Sequence, residues 1–364
     1  MKVWNKINAL QFGIAIYFIM RSMSLGIAVD SYIRIGGVDG YLSPIIGTII
    51  GFIPLMLFIK IMNYKPELTL FEKIDYLFGK NIGKIINIII TGAIYFLLTI
   101  VFWNLLNFIS SQYLYRTDTL VISSVFGIAL GYISIKSLNV IFRVSNMLFY
   151  ISIITFIICI LGLIGEPKLS NLLPFLEYGI SKPFIGGLSH VAYSVLPLFI
   201  LLMIPRNNIE NNNKLTKYII MFYLLASATK IFVTFIIIST FGIDLASLYE
   251  FPDFIVLRRI STTGFFQRFE SILATQWIFD AFVMLSFSFA FIKNAYIHII
   301  RKKHKDLFII ITVLITCIIC SNYMFSNNTV GDNFILYKLP FILTFLFFII
   351  PLIIFLKIKK NCHN

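Results

Sequence analysis

The chain has 364 residues, of which 59% are hydrophobic and 13% charged, and its mean hydropathy is +0.91. A water-soluble fold of that composition would carry more apolar side chain than its core could hide, so the composition excludes a soluble enzyme and requires a bilayer as solvent. The formal net charge of +14 does not point to nucleic acid, because its basic runs flank apolar stretches, as is ordinary beside a membrane.

A helix needs about 20 apolar residues to cross a ~30 Å hydrocarbon core, and such stretches recur along the whole chain. The pattern predicts an all-α integral membrane protein with ten spans, at 9–29, 41–62, 85–109, 120–135, 144–163, 184–204, 218–241, 272–292, 307–325 and 335–356. They form a single transmembrane domain, 1–364, without a soluble module. No small-residue cleavage site follows the first span, so it is expected to be retained as a helix.

The first span carries Arg21 past its middle, followed by Ser22, Ser24 and Gly26. Small hydroxylic residues let backbone groups find local partners where a membrane helix is interrupted, so a break is expected here. The connection at 63–84 contains Thr69-Leu70-Phe71-Glu72-Lys73-Ile74-Asp75-Tyr76-Leu77-Phe78, whose apolar positions fall at helical spacing. It reads as a short amphipathic helix at the interface, with a plain connector as the alternative.

The third span places Asn104, Asn107 and Ser111 on one face beside Trp103, which suits interhelical hydrogen bonding or a polar pocket wall. The sixth gathers Gly186, Gly187, Ser189, His190, Tyr193, Ser194 and Pro197, and Pro removes a helical hydrogen bond, so a second break is expected. The first and sixth spans occupy corresponding positions in two five-span halves, the arrangement of an inverted-repeat transporter. Close helix packing alone would also explain either cluster of small residues.

Lys230 lies in the middle of the seventh span and Asp280 in the eighth, with Gln276 one turn earlier on the same face. Each charge at that depth costs at least ~2.5 kcal/mol unless paired, hydrated or used. Asp280 can pair with Arg21 or with Lys230, which leaves one cation over. An anionic group such as the carboxylate of an amino acid could complete the set, or water-filled crevices could solvate the charges separately. The connections at 165–183 and 242–271 are long enough to serve as a lid or a partner surface. Cys317 and Cys320 lie inside an apolar helix without nearby His or carboxylate partners, so packing is expected and no metal site.

Most of the 30 Lys and Arg residues fall in the loops on the N-terminal side, including Arg301-Lys302-Lys303-His304-Lys305 and Lys357, Lys359 and Lys360. Most of the 16 Asp and Glu residues fall on the opposite side. That asymmetry predicts both termini in the cytoplasm. No nucleophile arrangement, metal-ligand cluster or phosphate loop is visible, so neither enzymatic activity nor a cofactor is expected.

Several stretches resemble one family. Ile7-Asn8-Ala9-Leu10-Gln11 is similar to its entry to the first helix, and Pro66, Thr69-Leu70 and Gly79-Lys80 through Gly83-Lys84 to its second connection. Lys136-Ser137-Leu138-Asn139-Val140-Ile141-Phe142-Arg143 is similar to its basic turn between helices 4 and 5. Asn171-Leu172-Leu173-Pro174 with Glu177 and Gly179 resembles the segment before helix 6. Pro252, Arg258, Ile260-Ser261, Phe265, Arg268, Glu270 and Trp277 resemble the long outer loop leading into helix 8. In order and spacing these resemble the B subunit of Ger-type nutrient germinant receptors, the endospore germination permease family of the amino acid–polyamine–organocation superfamily. The chain departs from that pattern in having Ser22 and Ser24 where glycines are usual, with Arg21 beside them, and in lacking an acidic residue in the sixth span.

The resemblance implies a LeuT-like fold in the spore inner membrane, assembled with an A and a C subunit and sensing a small nutrient. The residues expected to line the nutrient site are Arg21, Ser22, Ser24, Gly26, Asn104, Asn107, His190, Tyr193, Lys230, Gln276 and Asp280. The rival expectations are an ion- or proton-coupled amino-acid transporter, and a scaffold that only docks partner subunits.

Overall fold

The computed structural model describes residues 6–163, 165–177, 179–258, 270–300, 306–325 and 327–363. Of the family-like stretches, Ile260-Ser261, Phe265 and Arg268 lie outside the described residues, as does the basic run 301–305.

Among the described residues the fold is all-α apart from one two-stranded pairing. Among the described residues, eight helical runs are long and apolar enough to cross a membrane, and Thr119–Ile135 is a shorter apolar helix. The first of these runs, Ala9–Asn63, has 55 residues, which at 1.5 Å per residue is more than twice a hydrocarbon core. It is divided into α1 (Ala9–Arg21), a π-helical segment at Ser24–Ala28, α2 (Val29–Gly36), a 3-10 turn at Gly37–Leu42 and α3 (Ser43–Asn63). Two of the expected spans lie in it.

After α3 come α4 (Leu70–Phe78), α5 (Lys80–Gln112), α6 (Thr119–Ile135), α7 (Leu138–Leu163) and α8 (Ser181–His190). Then follow α9 (Asn212–Ala246), the short α10 (Pro252–Ile255), α11 (Glu270–Ile300), α12 (Asp306–Tyr323), α13 (Asn328–Tyr337), α14 (Leu339–Thr344) and α15 (Ile350–His363). Every expected span falls on helix. The apolar pattern set several bounds too narrowly, because helices such as α5 and α9 run on into polar residues beyond their oily stretch.

α1 opens with a capping box in which the Asn8 side chain accepts the Leu10 N–H at 2.9 Å and Gln11 reaches back to the Asn8 N–H. The helix is enclosed on every side, with Ile14 to Met20 essentially without exposure, and packs on α9, α7 and α11. The outer surface is apolar too: Ile49, Ile53, Ile128 and Phe341 are all exposed, as expected where lipid replaces water.

The connections sort onto two faces. On the N-terminal face, β1 (Ile7–Asn8) pairs parallel with β2 (Ile209–Glu210), and the Asn207 N–H donates to the Pro66 carbonyl at 3.0 Å. On the opposite face, the Lys168 N–H and the Asn171 side chain both donate to the Ser239 carbonyl, at 2.8 and 2.9 Å, and the Leu176 N–H donates to Asp39 at 3.0 Å.

The amphipathic reading of 69–78 holds. α4 starts at a Thr69–Glu72 capping box and buries Leu70, Phe71, Ile74 and Leu77. Its Lys73, also buried, donates to the Ile61 and Met62 carbonyls at 2.9 and 3.1 Å, supplying acceptors at the end of α3 with donors.

Candidate functional site

The first span breaks where its small polar residues stand. Leu25 leaves helical geometry at ψ 119° and Gly26 adopts φ +60°, ψ 2°. A side chain at Gly26 would be strained by that φ and would meet the Phe251 ring at 2.6 Å, so only glycine fits. The break frees the Leu25 carbonyl, which accepts a hydrogen bond from the Asn104 side chain of α5 at 2.8 Å. The sixth span stays helical, but its α ladder is interrupted at matching order. α8 passes into a π-helical turn at Val191–Val195 and then a 3-10 segment at Leu196–Met203 that contains Pro197, whose missing N–H cannot continue an α ladder. The two interrupted segments touch.

Arg21 ends α1 and meets Asp280 of α11 at 3.2 Å, both almost without exposure. The guanidinium also donates to the Tyr17 hydroxyl and lies against the Tyr17 and Phe156 rings, at 4.9 and 5.6 Å. Of the two partners open to Asp280 on sequence grounds, the fold selects Arg21. Lys230, 2% exposed, donates to the Ser194 hydroxyl in the interrupted sixth span. Among the described residues no carboxylate lies within ion-pair distance of it.

These groups surround a small cavity of about 20 Å³, walled by Arg21, Ser24, Thr229, Lys230, Asp253 and Trp277 with two valines. That is room for one water. Arg21 Nε and the Ser24 hydroxyl reach it without a hydrogen-bond partner. A second cavity of similar size, walled by Phe156, Leu163, Phe232, Ile236 and other apolar residues, adjoins it through Val233 and Asp253. Polar and apolar compartments thus meet at one carboxyl group.

Asp253 belongs to α10, which packs on α2, α9, α11 and the Ser24–Ala28 segment and closes the cavity from the face opposite the N-terminus. Its side chain is 1% exposed, and neither oxygen has an aligned hydrogen-bond partner. Burial, with the Asp30 carboxylate in the vicinity, pushes it up to about 8. Phe251 and Phe254 flank it and stack edge-on against Phe108 at 5.1 and 5.3 Å, which holds α10 in place.

The expected site residues divide accordingly. Arg21, Ser24 and Lys230 line the cavity, while Asp280 acts through Arg21 and Gly26 and Asn104 shape the break. Ser22 turns away, donating to the Ile19 carbonyl at 2.7 Å and touching the Met284 sulfur. His190 is committed to the Tyr32 hydroxyl at 2.9 Å, and Tyr193 donates to the Ile335 carbonyl. Asn107 bonds Glu250 and Asn328 nearer the opposite face. None of these four lines the cavity. Gln276 is buried with both amide atoms unpartnered, one residue before Trp277 but outside the cavity wall.

Asp253 and Thr229 were missed, and Trp277 and Pro252 stood out only through the family pattern. The available signal for Asp253 was its setting, an acidic residue between Phe251-Pro252 and Phe254.

A family profile described as "Spore germination protein" matches residues 6–329. A curated relative, the spore germination protein YndE of Bacillus subtilis (strain 168), is 26% identical over 277 residues, which cover 73% of this chain and 73% of the relative. With nearly its whole length matched and its apolar helices arranged as described, the chain is a multi-pass membrane protein that belongs to the spore germination permease family.

Proposed function

We propose that this protein is the membrane subunit of a spore germinant receptor, in which a small nutrient with a carboxylate, an amino acid, binds at the interrupted first span and triggers germination. The observation that carries the reading is Lys230. It is a buried ammonium at membrane depth with a hydroxyl as its partner and, among the described residues, no carboxylate in ion-pair reach, beside a cavity that also holds unpartnered donors of Arg21 and Ser24. Such a set is costly to keep unless something anionic completes it.

The cavity of about 20 Å³ is far too small for an amino acid, so the conformation described is a closed one. Binding needs α10 to withdraw, and a ligand can drive that change only through higher affinity for the open state. The adjoining apolar cavity between Phe156 and Phe232 would take the ligand's side chain.

Two interrupted spans five apart in order, in contact with each other, support a LeuT-like inverted-repeat arrangement within one transmembrane domain. The basic N-terminal face supports cytoplasmic termini, and the family supports a place in the spore inner membrane beside A and C subunits. The same interruptions favour a second reading, an ion- or proton-coupled amino-acid transporter.

Spores lacking the gene should lose their response to a nutrient while still germinating with a bypass agent. Unchanged nutrient response would contradict the receptor reading. Uptake of labelled amino acid by proteoliposomes containing this protein alone would favour the transporter.

A further inference from the structure

On the N-terminal face, away from the interrupted spans, a cavity of about 340 Å³ opens where α4, the start of α5 and the end of α11 meet. Its polar walls are Lys80, Asn81 and Lys84 of α5, Asp75 of α4 and His298 of α11. The floor is a built structure. His298 Nε2 lies 3.0 Å from Asp75 and its ring stacks on Phe71 at 5.8 Å, and the Asn87 amide donates to Asp75 at 3.2 Å. α4 and α5 approach so closely that a side chain at Gly83 would lie 2.5 Å from the Asp75 carboxylate. With Asp75 engaged by His298 and Asn87, the ammonium groups of Lys80 and Lys84 give the cavity a net positive balance. No side chain caps α5, so the first N–H groups of this 33-residue helix add to that field.

The neighbouring surface is oily. Asn81, Lys84, Ile85 and Ile88 follow one another at helical spacing along one face of α5 and are all exposed, with Ile85 at 59% and Ile88 at 50%. The positive cavity therefore continues directly into an apolar stripe that runs from the membrane surface toward its centre. A free anion would use the first and have no use for the second.

We propose that this cavity is a binding site for an anionic phospholipid of the leaflet on the N-terminal side, with its phosphate held by Lys80 and Lys84 and an acyl chain lying along Ile85 and Ile88. The site joins α4, which carries the Lys73 anchor of α3, to the ends of α5 and α11. Lipid binding would fasten the interfacial helix to the helices that carry Asn104 and Asp280.

The test is lipid retention by the full-length protein purified from detergent, measured by native mass spectrometry after incubation with equal phosphatidylglycerol and phosphatidylcholine. Phosphatidylglycerol should be retained preferentially. Lys80→Gln and Lys84→Gln should each lower that preference roughly fivefold, since a membrane-surface lysine contributes about that factor. Lys84→Arg should preserve it, and Ile85→Asn with Ile88→Asn should weaken retention without restoring phosphatidylcholine. Equal retention of the two lipids, or a preference that survives Lys80→Gln/Lys84→Gln, overturns the proposal. Complete displacement of the lipid by millimolar inorganic phosphate overturns it in favour of a soluble anion. Occupation by an acidic polypeptide that excludes phosphatidylglycerol overturns it in favour of a protein partner.

Discussion

Arg21 and Asp280 form an ion pair at 3.2 Å between α1 and α11, deep in the protein, and among the described residues the pair leaves Lys230 without a carboxylate in ion-pair reach. α1 ends at Arg21 and the break follows at Leu25 and Gly26, so this pair anchors the end of α1 beside the cavity while Asn104 holds the break itself.

Breaking the pair from one side strands a buried charge. Asp280→Asn and Arg21→Met should each lower stability by about 3–5 kcal/mol, whereas Arg21→Met with Asp280→Leu removes both charges and should be less damaging than either. Thermal unfolding of the purified protein in detergent measures this. A double variant as unstable as the two losses added would mean that the residues act independently.

Asn104→Leu removes the donor that holds the Leu25 carbonyl in an apolar setting. The orphaned acceptor should cost about 1–3 kcal/mol, seen as a lower unfolding temperature. Gly26→Ala should be at least as harmful, because positive φ and the Phe251 ring both oppose a side chain. If Gly26→Ala left stability and nutrient response untouched, the break would not be a fixed feature.

Asp253 makes the closure by α10 sensitive to pH. In the closed form its proton is held to about 8, whereas an undocked α10 would release it near 3.8. Opening therefore releases a proton between these values, so closure is strongest below 3.8 and weakens as pH rises, by up to tenfold per unit across that window. The charged groups on the elements packed against α10 include Lys230 and Asp244 of α9, Glu270 and Asp280 of α11, and Asp30 and Arg34 of α2. Hydrogen exchange of the segment around α10, corrected for intrinsic rates, should show protection falling from pH 6 to pH 8. Asp253→Asn should flatten that profile, and an unaltered pH dependence in the variant would contradict the assignment.

Much of this was legible in the sequence because membrane helices announce themselves through composition. The ten apolar stretches all fall on helix, and Ser22-Met23-Ser24-Leu25-Gly26 and the Gly186 to Pro197 stretch mark the places where the first and sixth spans are interrupted. The apolar spacing after Thr69 gave α4, though not its Thr69–Glu72 capping box. What stayed hidden depended on contacts between distant residues. Asp253 reads as a loop acid until Phe251 and Phe254 are seen packed on Phe108, with Phe251 over Gly26, more than 200 residues away. His190 and Tyr193 sit in the interrupted sixth span, yet His190 Nδ1 and the Tyr193 hydroxyl are engaged by Tyr32 and Ile335, which no periodicity in one helix can show.

On the function proposed above, Lys230 is kept buried for a ligand's carboxylate. Equilibrium binding of a panel of labelled amino acids to the protein in lipid nanodiscs, wild type against Lys230→Met, tests it most directly. Removing an uncompensated buried charge should leave thermal stability equal or higher. At least one amino acid should bind the wild type, and its binding should be lost in the variant. Undiminished binding to Lys230→Met would contradict it.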